Sequence, residues 1–403
     1  MLWHTVDGGD LVSIYILSDP NIVDFVPEKN HQEIAMVKAL NQKRIPVKLL
    51  AGMEDTPALL NDPSAMLLIS HTLANEHRDI LAFCNQHRVP VIALHSFSDT
   101  FPDYTYDTIS DNFRLSMAVL LNYFFMYDKK RICFFYLNPY SPHDMKRCET
   151  LYDMYSGFHR KDIFPATADG LEAVFQSFFS NCREYDAIIC PNDFIAIALI
   201  NELKRYDPAY LKQCFIVGTM NTIISNLYSP SLTTCSYSTQ SAIRALSWIH
   251  QVRSKNPDLC MTLNVSLYDD LVTRESTGNL PFETSDANGI KYPSLGRRLP
   301  LLSSDIPKIR PFENEPILSE IINLENMLRI LSVLELQILQ MLLEKQSNAA
   351  ICEKHFITPQ TLQYHLNQML KFAKIHNKKE FIQTASKYIH LDNLKDYIAR
   401  LHA

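Results

Sequence analysis

Short apolar runs alternate with amphipathic segments from Leu11 to about Gly278. The apolar runs hold four to seven residues each: Leu11–Leu17, Ala65–Ile69, Val91–Leu94, Arg131–Leu137, Ala187–Cys190 and Phe215–Gly218. Between them lie segments with helical periodicity: His31–Lys43, Asn75–Arg88, Asn112–Tyr127, Asp144–Phe158, Leu171–Asn181 and Phe194–Tyr206. This alternation predicts a doubly wound α/β fold whose parallel strands are buried on both faces. About 270 residues exceed one such sheet, so we expect two sheets side by side, with a single large α/β domain as the alternative.

The sequence changes character near residue 279. Residues 279–315 are polar, contain several prolines and show no periodicity, which predicts a linker. From Pro316 the apolar residues Ile317, Ile321, Leu324 and Leu328 recur at three- and four-residue steps, which predicts a helix. This helix could couple or dimerise domains, or it could pack on its own domain. We therefore expect an α/β domain over residues 1–278, a linker over 279–315 and a helical domain over 316–403.

The composition and motifs favour a cytoplasmic protein that is not an enzyme. The first ten residues lack a basic stretch followed by an apolar run, and no segment reaches the ~18 apolar residues of a membrane span. Nine cysteines lie scattered without a CxxC pair, as expected of reduced thiols. A glycine-rich phosphate loop and the GxSxG and HExxH motifs are missing from the sequence. We expect no cofactor and no metal.

Charge is distributed unevenly along the chain. The formal net charge is −6, but residues 331–403 hold nine Lys or Arg against six Asp or Glu, a balance of +3 that leaves −9 for residues 1–330. This asymmetry suggests a modest cationic surface attached to an acidic body, which is compatible with a nucleic-acid partner.

The C-terminal residues predict three short helices in close succession. Leu334, Ile338, Leu339 and Leu342 mark the first, and Ser347-Asn348 offers an N-cap for the second, over Ala349–Lys354. Thr358 followed by Pro359 predicts the start of a third helix, which extends to about Phe372. That helix buries leucines on one side and leaves amide, aromatic and cationic groups on the other, as major-groove recognition requires. A three-helix bundle with a solvated polar face is the alternative.

Several polar positions in this segment match a known family. Leu331-Ser332-x-x-Glu335, Ser347-Asn348-x-x-Ile351, Phe356-Ile357-Thr358-x-x-Thr361-Leu362-x-x-His365 and Asn377-Lys378-x-Glu380 resemble the LuxR-type helix-turn-helix. The resemblance implies that Glu335 holds the first helix to the scaffold. It also implies base contacts by Gln363, Tyr364 and Asn367 and backbone contacts by Thr361, Lys371 and Lys378. Lys345, Gln363 and Phe372 depart from the family pattern, and the smaller number of cations implies weaker non-specific affinity.

Five segments of the preceding region, in order, match a second family: Val89–Leu94, Asp111–Phe134, Tyr185–Asp193, Ile216–Gly218 with Ser229–Thr234, and Asp270–Thr277. They resemble the effector domain of LacI-type repressors, a periplasmic-binding-protein-like fold of two α/β lobes. LacI-type chains carry their DNA-binding helices before this domain, whereas here those helices follow it. Xylose-type activators of the AraC class have a similar order, with a sensor before the helix-turn-helix.

The LacI-type resemblance also implies effector-binding positions at the strand ends. The matching residues are Asp19, Phe25, His95, Arg147 or Tyr152, Asn192, and Met220 or Asn221. The acids that this family uses for sugars are replaced by His95 and by Thr219-Met220-Asn221, so the pattern is not that of a hexose or pentose binder. A less polar effector, an anionic effector or none are the alternatives. Asp193 also has a structural interpretation, as the N-cap of the helix beginning at Phe194.

Together these features predict a homodimeric transcriptional regulator that binds double-stranded DNA and responds to a small-molecule effector. The alternative is a ligand-independent DNA-binding regulator whose two lobes serve as a dimerisation or protein-interaction scaffold. A phosphorylation-driven response regulator is disfavoured, because Asp19 alone stands directly after the first strand, where a receiver domain has paired acids, and the N-terminal part is more than twice too long for a receiver domain.

Overall fold

The computed structural model describes residues 13–17, 36–50, 53–62, 64–70, 75–236, 238–282, 292–299 and 309–402. The chain divides into two compact units. Unit 1 comprises Met1–Asn112 and Tyr237–Asp269, and unit 2 comprises Phe113–Ser236 and Asp270–Ala403. The chain therefore passes from one unit to the other three times.

The strands belong to two six-stranded sheets. In chain order they are β1 (Ile14–Leu17), β2 (Val47–Leu50), β3 (Met66–Ile69), β4 (Val91–Leu94), β5 (Asp107–Asp111), β6 (Ile132–Leu137), β7 (Ile163–Pro165), β8 (Ala187–Ile189), β9 (Phe215–Thr219), β10 (Thr233–Ser236), β11 (Asn264–Leu267) and β12 (Asp270–Val272). The α-helices that precede the C-terminal module are α1 (Arg78–His87), α2 (Phe113–Met126), α3 (Pro142–Met154), α4 (Leu171–Phe179), α5 (Asp193–Tyr206), α6 (Pro208–Leu211), α7 (Ile223–Leu227) and α8 (Thr239–Lys255). Residues 36–42 are helical as well.

Unit 1 is built on a parallel sheet of order β11-β5-β4-β3-β1-β2. Its inner strands β1, β3 and β4 are buried along their whole length. Alternate residues face opposite sides, so Ile14 and Leu68 pack in the same core as Leu246 of α8. Their neighbours Tyr15 and Leu67 pack with α1 on the other face. Burial on both faces explains why these strands are nearly continuous apolar runs.

Unit 2 contains the second sheet, of order β12-β10-β9-β8-β6-β7, in which β12 runs antiparallel to β10 and the other pairs are parallel. We call this sheet and its surrounding helices α2 to α7 lobe 2. The C-terminal module also belongs to unit 2 and consists of α9 (Pro316–Ile330), α10 (Val333–Leu343), α11 (Asn348–His355), α12 (Pro359–Phe372), α13 (Lys378–Tyr388) and α14 (Leu391–His402). None of the described helices is long and apolar enough to cross a membrane.

The structure confirms the two-sheet α/β fold and each of the six predicted strands, within a few residues at the ends. The described part of the predicted helix over 31–43 is helical from residue 36 to 42, and the other predicted helices are present. Strands β2, β5, β7, β10, β11 and β12 were not predicted. All six are short; β2, β7, β11 and β12 lie at sheet edges, whereas β5 and β10 lie inside their sheets but consist mostly of polar residues. The expectation that Asp193 caps its helix is wrong: Asn192 is the N-cap of α5, and its side chain accepts from the Ile195 N–H at 2.9 Å.

Candidate nucleic-acid interface

Local hydrogen bonds fix the starts of α11 and α12 in the C-terminal module. The Ser347 side chain caps α11 by accepting from the Ala350 N–H at 3.2 Å. The Thr358 side chain caps α12 by accepting from the Thr361 N–H at 3.1 Å, and Pro359 occupies the first helical position. The chain reverses between the two helices because Phe356 adopts a left-handed conformation with φ of 54°. The predicted starts of α11 and α12 are therefore confirmed, and α12 ends at Phe372, as predicted.

Helix α12 has a buried face and an exposed polar face. Leu362, Leu366 and Met369 are buried in the module core. Gln363, Asn367 and Lys371 are exposed on the other side. The exposed face has the composition expected of a recognition helix, since amides can pair with adenine and ammonium groups with phosphate.

Glu335 attaches α10 to α12, the candidate recognition helix. Its carboxylate accepts from the Ser332 N–H at 2.9 Å, which completes a capping box at the start of α10. The same carboxylate lies 3.0 Å from Nδ1 of His365 on α12. The pKa of Glu335 is lowered because the bonds from Ser332 and His365 outweigh the opposing effect of partial burial. Glu335 thus orients α12 relative to α10, in agreement with the role that the LuxR-type resemblance implied.

The predicted DNA-contacting residues all lie on α12 or at the start of α13. Gln363 donates to Asn367 Oδ1 at 2.8 Å, so these two amides present a joined surface. Tyr364 is 60% exposed beside them. Thr361 is half-buried, with its hydroxyl 3.0 Å from that of Thr358.

The two predicted backbone-contacting lysines differ in their surroundings. Lys371 is exposed near the end of α12. Lys378 is half-buried, and its ammonium donates to Asn348 Oδ1 at 2.6 Å, which links the start of α13 to the start of α11. Lys378 therefore supports the helix-turn-helix whether or not it meets DNA.

Phe356 in the turn was not singled out from the sequence. Its side chain is 96% exposed, and a left-handed backbone is costly for a bulky residue. A clue in the sequence is that an apolar residue stands at the C-cap of α11, a position at which glycine is usual. The bonds of α11 and α12 on either side fix this strained conformation.

The C-terminal module is docked on lobe 2 by a buried carboxylate. Glu325 of α9 is 1% exposed. It accepts from the Ile223 N–H at 3.0 Å and the Ile224 N–H at 2.7 Å, the first two amides of α7. Arg329 neutralises it at 2.6 Å. One side chain of the module therefore supplies the acceptors that the N-terminus of a lobe 2 helix lacks.

Apolar packing and main-chain bonds extend this docking contact. Leu318, Ile321 and Leu324 of α9 share one buried cluster with Ile224 and Leu227 of α7. The His390 N–H donates to the Leu227 carbonyl at 2.7 Å, and the Asn393 amide donates to the Tyr228 carbonyl at 2.7 Å. Helix α9 thus packs on lobe 2 and on its own domain at once, which combines two of the alternatives left open by the sequence.

Three of the predicted effector residues lie on lobe 2 near the ends of its strands. Arg147 donates to the Pro191 carbonyl at 3.4 Å, next to Asn192. Asn221 follows β9 with φ of 54°, and its side-chain oxygen accepts from Arg274 at 2.6 Å. Asn192 uses its oxygen to cap α5, so it is held in place but already engaged.

Asp193 connects these residues to α7. It is fully buried and accepts from the N–H and hydroxyl of Thr222 at 2.8 and 3.0 Å and from the Thr234 hydroxyl at 2.8 Å. Burial raises its pKa to about 6, against the lowering effect of these donors and of Arg274. Thr222 caps α7 in turn. The loop from Thr219 to Thr222 is therefore held by Asp193 on one side, and the helix that follows it is held by Glu325 on the other.

The other predicted effector residues are placed differently. Tyr152 packs against the Arg297 guanidinium, which lies 4.0 Å from the Tyr152 ring centroid, and against Phe158. His95 in unit 1 directly follows β4, is half-buried and has φ of 52°. Asp19 and Phe25 lie outside the described residues.

Comparison with known proteins finds similarities for both parts of the chain. Residues 329–385 match the model of bacterial regulatory proteins of the LuxR family. The LuxR-type resemblance found in the sequence is thereby confirmed. No curated protein matches the chain in sequence.

The N-terminal two-thirds share the fold of LacI-family proteins. A LacI family transcriptional regulator from Enterococcus faecium with bound ribose aligns with a TM-score of 0.52 and 17% identity, over 67% of this chain and 100% of that one. A LacI family transcriptional regulator from Silicibacter pomeroyi aligns with a TM-score of 0.51 and 14% identity, over 66% of this chain and 99% of that one. The Lac repressor bound to ONPG in a repressed state aligns with a TM-score of 0.51 and 17% identity, over 67% of this chain and 83% of that one. The LacI-type, periplasmic-binding-protein-like fold is thus confirmed, and its combination with a LuxR-type module is that of a transcriptional regulator.

Proposed function

We propose that this protein is a homodimeric regulator of transcription that binds double-stranded DNA through α12 and adjusts that binding to a small-molecule effector. The observation that carries the proposal is the LuxR-type module, whose recognition helix exposes Gln363, Tyr364 and Asn367 while Glu335 fixes its orientation. The fold shared with LacI-family proteins supports an effector domain in the preceding residues.

Base recognition is assigned to the two amides on α12. Gln363 and Asn367 already bond to each other, so a purine edge would exchange that bond for bidentate pairing. Lys371 would contact a phosphate and contribute to affinity without reading sequence. Dimerisation would place two such helices in successive major grooves and so supply affinity that one module with few cations lacks.

The effector signal is assigned to the loop before α7. Asn221 and Thr222 directly precede the two amides that Glu325 accepts from. An effector that bonds Asn221 in place of Arg274 would displace this loop, and the displacement would reach the carboxylate that seats α9. The effector would act as a regulator if its affinity differs between the two loop positions, because differential binding is what shifts a conformational equilibrium.

Selection of DNA from a random pool by the full-length protein tests the DNA-binding part. We expect a motif of two half-sites. The variant Q363A/N367A should lose about 1–3 kcal/mol of discrimination between that motif and a scrambled one. K371A should weaken binding to the selected motif and to the scrambled one alike, and should lower the slope of log affinity against log salt by about 1. The variant Q383A, an exposed amide on α13, is the matched control. Absence of any enriched sequence at low salt would contradict the proposal.

The effector-sensing part needs a separate test. A panel of small metabolites can be screened for a shift in melting temperature of the full chain, followed by DNA titration with each hit. A metabolite that shifts the melting temperature should also change DNA affinity, and the variant N221A should abolish that shift in melting temperature. If the protein binds the same motif with unchanged affinity in the presence of every such metabolite, it would instead be a ligand-independent regulator whose N-terminal domain serves as a scaffold.

A further inference from the structure

A groove of about 1080 Å³ lies within unit 2, where the C-terminal module meets lobe 2. Lobe 2 contributes the end of α5, helix α6, the first residue of β9 and residues 275–280. The module contributes residues 386–390, where α13 gives way to α14. The groove is thus lined by both parts of unit 2, and its lining does not include the loop at Asn221 to which we assigned the effector.

Four lysines line this groove: Lys129, Lys204, Lys212 and Lys387. Lys387 forms an ion pair with Glu320 at 3.0 Å. The acid that lines the groove is Glu275, whose carboxylate accepts from the Ser231 N–H at 2.6 Å. The groove therefore carries an excess of positive charge in a chain whose net charge is negative.

Two of these ammonium groups are held by neutral partners. Lys129 donates to the Gln213 carbonyl at 2.8 Å and lies 4.8 Å from the Phe215 ring centroid. Lys204 donates to the Tyr228 hydroxyl at 3.0 Å and to the Ser229 carbonyl. Within the described parts of the chain, no carboxylate pairs with either lysine. Burial lowers the pKa of Lys204, so its charge is partly desolvated without a counter-ion.

The shape and composition of the groove indicate the class of ligand. Its volume matches that of sites for small organic molecules. Leu211, Phe215 and Pro230 supply apolar surface next to the lysines. Lysine ammonium groups bind phosphate as point charges, without the bidentate geometry by which arginine holds carboxylate or phosphate.

We propose that this groove binds a phosphorylated small molecule, which bridges lobe 2 and the C-terminal module. The phosphate would lie between Lys129, Lys204 and Lys212 and would supply the carboxylate-like counter-charge that Lys129 and Lys204 lack among the described residues. The organic part would pack on Phe215 and against the 386–390 segment. Such a ligand would tighten the seating of the DNA-binding module on lobe 2. This site is independent of the proposed effector loop, and its ligand binding does not require DNA binding.

Calorimetric titration of the full chain with inorganic pyrophosphate and with glucose 6-phosphate tests this site, with sodium chloride at matched ionic strength and glucose as controls. We expect both phosphates to bind and to raise Tm, and glucose to do neither. The variant K129M/K204M should weaken pyrophosphate binding at least tenfold. K212M, which alters an exposed side chain and should leave the fold intact, should weaken it several-fold. K146M, an exposed lysine on α3 outside the groove, is the matched control and should bind like the wild type.

Several results would overturn the inference. Phosphates that shift Tm no more than sodium chloride would exclude the site, as would K212M and K129M/K204M proteins that bind pyrophosphate like K146M. If the lysine variants bind pyrophosphate normally but lose DNA affinity and salt dependence, the groove contacts DNA backbone instead. N221A should leave pyrophosphate binding unchanged, so failure at this groove and failure of the proposed effector loop can be told apart.

Discussion

The buried carboxylate of Glu325 should be the most sensitive single side chain in the attachment of the DNA-binding module. The variant E325M removes an acceptor that serves two α7 amides and takes away the carboxylate that pairs with Arg329, whose side chain is 15% exposed. Removing one member of a buried ion pair costs about 3–5 kcal/mol. We expect a loss of that size in the free energy of unfolding of unit 2.

A double variant separates the two contributions to this loss. E325M/R329M also removes the guanidinium that has lost its carboxylate, so it should be more stable than E325M alone, although the two α7 amides still lack their acceptor. Each unsatisfied buried amide costs about 1–3 kcal/mol, so a net loss should persist. Urea titration monitored by far-UV circular dichroism measures the free energy of unfolding of the wild type, E325M and E325M/R329M. E353M, at an exposed position on α11, is the control and should lie within about 0.5 kcal/mol of the wild type.

Two outcomes would refute this reasoning. A loss below about 1 kcal/mol for E325M would mean that water or neighbouring groups replace the carboxylate at little cost. A double variant no more stable than E325M would mean that solvent or other contacts of Arg329 compensate its charge when Glu325 is removed.

Three further changes have expected outcomes. F356G should raise the free energy of unfolding by about 0.5–1 kcal/mol, because glycine relieves the left-handed strain and the exposed ring buries little; equal or lower Tm would contradict this. For Asp193, burial raises the pKa of the carboxyl from 3.8 to about 6. The protonated carboxyl therefore contributes fully to the free energy of unfolding below about pH 4, and this contribution is lost as pH rises through 6. In urea titrations from pH 4 to pH 7, the stability advantage of wild type over D193N should therefore shrink by up to about 3 kcal/mol, and a constant difference would exclude the raised pKa. E335A removes both the capping box with Ser332 and the contact with His365, and should cost about 1–2 kcal/mol; Q337A, a half-buried residue on the same helix, serves as its comparison in thermal melts.

The parts of the fold that depend on local chemistry could be predicted from the sequence. Thr358 followed by Pro359 determines where α12 starts, because the hydroxyl cap and the fixed φ of proline act within one turn. The inner strands could be predicted because burial on both faces requires an apolar residue at every position, as in Ile14–Leu17.

Strands whose polar groups are satisfied by distant residues could not be predicted. Thr233 and Thr234 of β10 are fully buried because Ser276 and Asp193 bond to them. A sequence without an alignment gives no indication of those partners, which lie about 40 residues away. The same holds for Glu325, which resembles any surface glutamate of an amphipathic helix until α7 is placed against it. The seating of the DNA-binding module was for this reason beyond the reach of sequence patterns, although the module itself was not.

The three passages of the chain between the units have a consequence for the order in which the protein is made. Strand β5 of unit 1 ends at Asp111, but its neighbour β11 begins at Asn264. At roughly 5–20 residues per second, a ribosome needs on the order of 10–30 s to synthesise the intervening segment. During that time β5 has an unpaired edge, and α8, which covers one face of the sheet, has yet to emerge. The strands of lobe 2 that lie between these two points can pair first, so nascent unit 1 would be the part of the molecule that most needs protection from strand-edge aggregation.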